Sequence, residues 1–120
     1  MYYPITPVRD LDSTTGKGLS GSFTSGTARI LTVGGLGGVP TDAKGISGNL
    51  TVIGPSSNGY AFISPTTVAS PTSSTVNTNT GVNCANGFDV ALASGKVALI
   101  WAGTTGSKTN LQLDVTGYWK

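Results

Sequence analysis

Few residues in this chain are equipped for covalent chemistry. None of its 120 residues is a histidine. The imidazole general base and the Ser-His or Cys-His nucleophilic pair are therefore missing. The five acids are all aspartates: Asp10, Asp12, Asp42, Asp89 and Asp114. A pair such as Asp12 with Asp114 has the residue type for general acid–base work. The simpler role for these carboxylates is to accept loop amide protons or to pair with Arg9. We read Arg9, Asp12 and Asp114 as a partly buried polar cluster that pins an N-terminal arm to the last strand. No catalytic residue is assigned, and the chain reads as non-enzymatic.

Other motifs point the same way. Asp10-Leu11-Asp12, with Ser and Thr oxygens nearby, offers ligands to Ca²⁺, but no Asp-x-Asp-x-Asp-Gly loop and no glutamate accompany it. No metal and no cofactor is expected. Gly34-Gly35-Leu36-Gly37-Gly38 lacks the Lys-Ser/Thr of a phosphate loop and reads as a permissive connection. Asn49-Leu50-Thr51 fits a glycosylation sequon but falls in the middle of a strand pattern. The single Cys84 cannot close an internal disulfide and reads as a buried thiol. Tyr2, Tyr3, Tyr118 and Trp119 place aromatics at both ends of the chain. They suggest a subunit interface or a sugar-stacking platform, and the interface is favoured because no polar cluster accompanies them.

The seven cations, Arg9, Lys17, Arg29, Lys44, Lys96, Lys108 and Lys120, are scattered, and the net charge is only +2. Neither nucleic acid nor an anionic membrane is an expected partner. No apolar run approaches the ~18 residues that span a bilayer. The opening Met1-Tyr2-Tyr3-Pro4-Ile5-Thr6-Pro7 has no basic region followed by an apolar core, so it does not read as an export signal.

The elements that must position these residues are all strands. A chain of 120 residues is expected to form one domain over residues 1–120. Its 38% hydrophobic content lies in short clusters separated by Gly-, Ser- and Thr-rich turns, and only 10% of residues are charged. Val97, Leu99 and Trp101 alternate with Ala98, Ile100 and Ala102, which is the pattern of a central strand with two apolar faces. Leu111, Leu113 and Val115 alternate with Gln112, Asp114 and Thr116, as in a strand with one buried face. With the turn residues Gly103 to Thr109 between them, the two read as a hairpin. Upstream strands are expected over Tyr2 to Val8 (an edge strand or extended arm), Gly21 to Thr24, Ala28 to Val33, Gly45 to Ile53, Tyr60 to Ser64, Ser74 to Thr78 and Ala85 to Ala93. Gly48 inside its strand suggests a bulge or a close neighbour. Gly54 to Gly59 reads as the turn of a second hairpin, and Thr41 as the cap of a single helical turn. About eight or nine short strands with no helical period predict an antiparallel, jelly-roll-like β-sandwich.

Several ordered motifs add a resemblance. Pro7-Val8-Arg9-Asp10-Leu11-Asp12 resembles the opening P-x-R-x-L-D of a β-domain found, often repeated, in extracellular and cell-wall-associated bacterial proteins. Gly38-Val39-Pro40 with Ala43 and Asn49-Leu50-Thr51-Val52 resembles its G-V-P…A…N-V-T-V segment. Gly59-Tyr60 followed by Pro65, Pro71-Thr72-Ser73 with Asn77 and Ala85-Asn86, and Gly95-Lys96-Val97 resemble later motifs. Asp114-Val115-Thr116-Gly117-Tyr118 resembles its closing D-V-x-G-Y. Asp10 stands where that module is usually apolar, and Ser13-Thr14 where Thr-Arg is usual. The resemblance implies a non-catalytic display or adhesive module.

A display-type β-domain that begins at its fold without an export signal fits a particle assembled inside a cell. The sequence therefore leads us to expect an accessory or decoration protein on the outside of a bacteriophage virion. Its expected partners are the major capsid protein or other virion subunits, and further copies of itself in a homo-oligomer. The alternatives are a domain of a bacterial extracellular adhesin or filament, or a carbohydrate-binding module that takes surface glycans.

Overall fold

The computed structural model describes residues 1–120 and contains nine strands and no helix. These are β1 (Tyr2–Asp12), β2 (Phe23–Thr24), β3 (Arg29–Thr32), β4 (Gly45–Ile53), β5 (Gly59–Ser64), β6 (Val76–Thr78), β7 (Cys84–Ala91), β8 (Lys96–Ala102) and β9 (Lys108–Trp119). They form two antiparallel sheets, ordered β1-β9-β4-β7 and β3-β8-β5-β6, with β2 added beside β9. Apart from β5 to β6, each strand from β3 onward crosses to the other sheet. This is the connectivity of a jelly roll, and it closes a β-sandwich.

β9 is the spine. Twelve residues at ~3.3 Å each span about 40 Å, and the molecule measures 39 × 24 × 21 Å, so β9 runs its whole length. β4 pairs along one side of it from Gly45↔Trp119 to Ile53↔Asn110. On the other side β1 pairs from Tyr2↔Trp119 to Asp12↔Gln112, and β2 takes over at Phe23↔Thr109. β1 and β2 thus act as one edge strand interrupted by a surface excursion over residues 13–22. Local chemistry explains the break. The Thr14 amide donates to Asp12 Oδ1 at 3.1 Å, and the Thr15 and Lys17 amides donate to the Asp12 carbonyl at 3.2 and 3.0 Å. An aspartate that captures downstream amides turns the chain out of the ladder. Ser13 covers the gap: its amide donates to the Leu111 carbonyl at 3.1 Å, and its Oγ accepts the Leu111 amide at 3.0 Å.

The core follows the period of two. Leu111, Leu113 and Val115 of β9 and Ile46, Leu50 and Val52 of β4 face Val97, Leu99 and Trp101 of β8 and Ala61 and Ile63 of β5. Trp101 is fully buried and its Nε1 donates to Ser107 Oγ at 3.1 Å, so the indole's one polar atom is satisfied. Gly59 presses on this ring. A Cβ there would lie 2.8 Å from Trp101 Cη2 and would collide with the Ala102 carbonyl.

Three expectations are corrected. β8 and β9 are not a hairpin, because β8 pairs with β3 and β5 while β9 pairs with β1, β2 and β4. β4 and β5 likewise lie in different sheets. In both cases the connecting turn spans the ~10 Å between sheets rather than the ~4.8 Å between neighbours in one sheet. Burying two apolar faces against each other is favoured over lining them up side by side. The segment at Thr41 is a turn without a helix. Gly48 does have a close neighbour and a bulge beside it, but the extra residue is Thr116 of β9: Ser47 pairs with Gly117 and Gly48 with Val115, and a Cβ at Gly48 would lie 2.9 Å from Phe88 Cζ.

The close approach at Gly59 yields a prediction. Gly59→Ala should lower the unfolding free energy by about 1–3 kcal/mol through overpacking, and Leu113→Ala by about 2–5 kcal/mol through a cavity. Urea unfolding of the two variants checks both values.

Candidate functional site

The bulge that lets β1 follow the twist of β9 also sets the polar cluster. Pairing shifts between Arg9↔Asp114 and Leu11↔Leu113, which leaves Asp10 as the extra residue. Arg9 and Asp114 are direct partners on the outer face. Arg9 Nε donates to Asp114 Oδ1 at 2.8 Å and Nη2 donates to Oδ2 at 3.2 Å, a two-point fork. Arg9 Nη1 lies 3.9 Å from Asp12 Oδ2, which also accepts from Gln112 Nε2 at 3.2 Å. The structure therefore brings Arg9, Asp12 and Asp114 together, and together they tie β1 to β9. The hydrogen bond to Asp114 raises the Arg9 pKa further above its already high value. Thr14, with Gln112 and Arg9 behind it, holds the Asp12 carboxyl below the usual range.

Asp10 differs. Its side chain turns under the glycine-rich connection after β3, where Gly37 (φ +56°) comes so close that a Cβ would lie 3.2 Å from Asp10 Oδ1. The residue is 6% exposed, and Oδ2 has no hydrogen-bond partner. Burial pushes its pKa up, Lys17 pulls it down, and Asp114 adds a small upward push. Its carboxyl and that of Asp12 thus serve separate surroundings, although one residue apart from a shared neighbour in sequence.

The four terminal aromatics form two cross-strand pairs. Tyr2 meets Trp119 with ring centroids 4.8 Å apart and planes at 55°. Tyr3 stacks on Tyr118 at 5.1 Å and 21°. Adjacent residues of a strand face opposite ways, so these pairs lie on opposite faces of the sheet and do not make one platform. Tyr118 packs against the core, while Tyr2 and Trp119 occupy the outer face, where Tyr2 Oη hydrogen-bonds to Ser47 Oγ at 2.7 Å. Cys84, expected to be buried, is half-exposed at the start of edge strand β7.

Two surfaces were not legible as sites. Outside β7, Lys44, Gly45, Asp89, Val90, Ala91 and Trp119 line an open groove of about 290 Å³. Asp89 and Lys44 are far apart in sequence, and only the pairing Gly45↔Ala91 brings their neighbourhoods together. On the other sheet, Ala98 and Ile100 face away from the core yet are only 2% exposed. They are flanked in register by Ile30, Ser64 and Phe62, with Ile30 left 53% exposed. The double apolar pattern of β8 was visible in the sequence; that Ala98 and Ile100 on its second face are buried while Ile30 beside them stays exposed was not.

Compared with family models, with curated proteins and with solved structures, the chain matches none.

Two predictions follow the charges. Asp114→Ala should lower the melting temperature by a few degrees, because a half-exposed forked pair contributes up to about 1 kcal/mol; differential scanning calorimetry reads the change. The folded-state pKa of Asp10 lies above its unfolded value. Its contribution to stability is therefore fully present below the unfolded pKa and is lost as pH rises through the folded one. Asp12 has the opposite sign: its contribution is present above its unfolded pKa and is lost as pH falls through its lowered folded value. Asp10→Asn should therefore compare best with the parent at neutral pH and lose that advantage toward acid. Urea midpoints of both proteins across the acid range test this.

Proposed function

We propose that this protein is a non-enzymatic structural protein, an accessory or decoration protein on the outer surface of a bacteriophage virion. In this reading it docks on the major capsid protein or a neighbouring virion subunit and clusters with further copies of itself. The observation that carries the proposal is the contrast between the two outward faces of one rigid sandwich. The face of β3-β8-β5 presents exposed Ile30 and half-buried Phe62 beside the buried Ala98 and Ile100, with Lys96 as its one strand charge. A small apolar patch with few charges around it is suited to a contact surface. The opposite face presents Arg9, Asp114, Gln112, Asn49, Thr51 and Asp89, a hydrated surface suited to display. Docking through one face and displaying the other is what a decoration protein requires. The jelly-roll connectivity agrees with this reading only by analogy, because one fold serves many functions. The resemblance to a repeated bacterial surface module supports a display role in the same limited way.

A domain of an extracellular adhesin is the second reading, favoured by one observation. The Met1 amine donates to the Lys120 carbonyl at 2.9 Å, and the Lys120 amide donates to the Met1 carbonyl at 3.0 Å. A domain whose two ends leave together sits as a knob on a stalk.

The test is incorporation into particles. Mass spectrometry of gradient-purified virions should find the protein, and Ile30→Glu, which alters an exposed position, should fold but fail to co-sediment. Washed particles that lack the parent protein would sink the proposal. Copies of the Ile30→Glu variant retained at parental level would remove the docking face from it.

A further inference from the structure

We propose that the groove between β7 and the end of β9 is a carbohydrate subsite that takes one ring of a glycan. Its volume of about 290 Å³ lies near the ~300 Å³ at which ligand clefts begin. Its floor is bare, because Gly45 and Ala91 face each other there across the β4–β7 ladder. A Cβ at Gly45 would lie 3.0 Å from the Val90 carbonyl and 3.4 Å from Trp119 Cε3, so any larger residue would fill the space beside the indole. The indole of Trp119 forms a wall. It is braced from behind by the Tyr2 ring at 4.8 Å, and that ring is fixed by the bond from Tyr2 to Ser47. An aromatic surface held in this way needs little further ordering on binding.

The rim carries the specificity. Asp89 and Lys44 are both exposed and join none of the ion pairs, which are Arg9–Asp12, Arg9–Asp114 and Lys120–Asp42. A carboxylate and an ammonium that bracket an aromatic wall match a sugar ring. The C–H face of the ring lies on the indole, one hydroxyl donates to Asp89, and another oxygen accepts from Lys44. An apolar ligand would strip water from two charges without replacing its hydrogen bonds. A phosphate would meet Asp89 as a like charge. A single-stranded nucleic acid would stack on the indole but would find no basic track beside it. The inference stands whether the protein is displayed on a virion or on a cell, and its test uses the purified chain alone.

An array of bacterial capsular, O-antigen and cell-wall oligosaccharides supplies the probes. Trp101 is buried and Trp119 is the only other tryptophan, so binding at this groove reports directly in the exposed emission. At least one oligosaccharide should bind saturably and shift that emission. Trp119→Ala should abolish binding, and Asp89→Ala should weaken it about tenfold or more, as loss of a charged hydrogen bond requires. If Trp119→Ala fails to fold, Asp89→Ala and Lys44→Ala carry the test, because both side chains are exposed and unpaired. An array with no retained glycan overturns the inference. So does a glycan bound equally by the parent and by Asp89→Ala and Lys44→Ala.

Discussion

β9 holds hydrogen-bonded neighbours on both sides over its length, with β4 along one side and β1, then β2, along the other. Its inward residues Leu111, Leu113 and Val115 are completely buried. Burial of three such side chains contributes roughly 5–9 kcal/mol, comparable with the ~5–15 kcal/mol net stability of a whole domain. The last strand cannot leave without the rest of the sandwich coming apart. The polar cluster, the groove and the aromatic pairs all hang on this one ladder: Arg9 reaches Asp114 across it, Tyr2 reaches Trp119 across it, and Trp119 ends it.

That arrangement also constrains folding. The strands that flank β9 come from the start and the middle of the chain, and most close approaches join residues far apart in sequence. Loop closure must precede most of the favourable contacts, so assembly is expected to be slow for a domain of this size. The glycine-rich connection after β3 fits this picture. It crosses over Val8 and Asp10 of β1 and helps to hold an edge strand that has no neighbour beyond it.

Much of the fold was legible in the sequence. Alternation fixed the inward sets of β4, β8 and β9, and turn residues separated nearly every strand. Pairing was less legible. A period of two tells which face of a strand is buried but not which strand lies beside it, so β8 and β9 looked like a hairpin although they face each other across the core. The Arg9, Asp12 and Asp114 cluster was legible because a cation near the start and an acid in the last strand suggest a tie between the ends. The groove was not legible. Asp89, Lys44 and Trp119 are unremarkable singly and meet only through the register of β4 with β7 and β9. The terminal aromatics were read as one interface or platform, but strand alternation divides them between two faces.

The mutual hydrogen bonding of Met1 and Lys120 has a consequence for how the chain can be rearranged. Its ends are already neighbours, so a short peptide joining them would close the backbone into a ring without disturbing either sheet. New ends could then be opened in the exposed stretch after β5, residues 65–74, where the chain is free of ladder pairing. Such a permuted molecule would keep every strand in place while beginning and ending beside the other sheet.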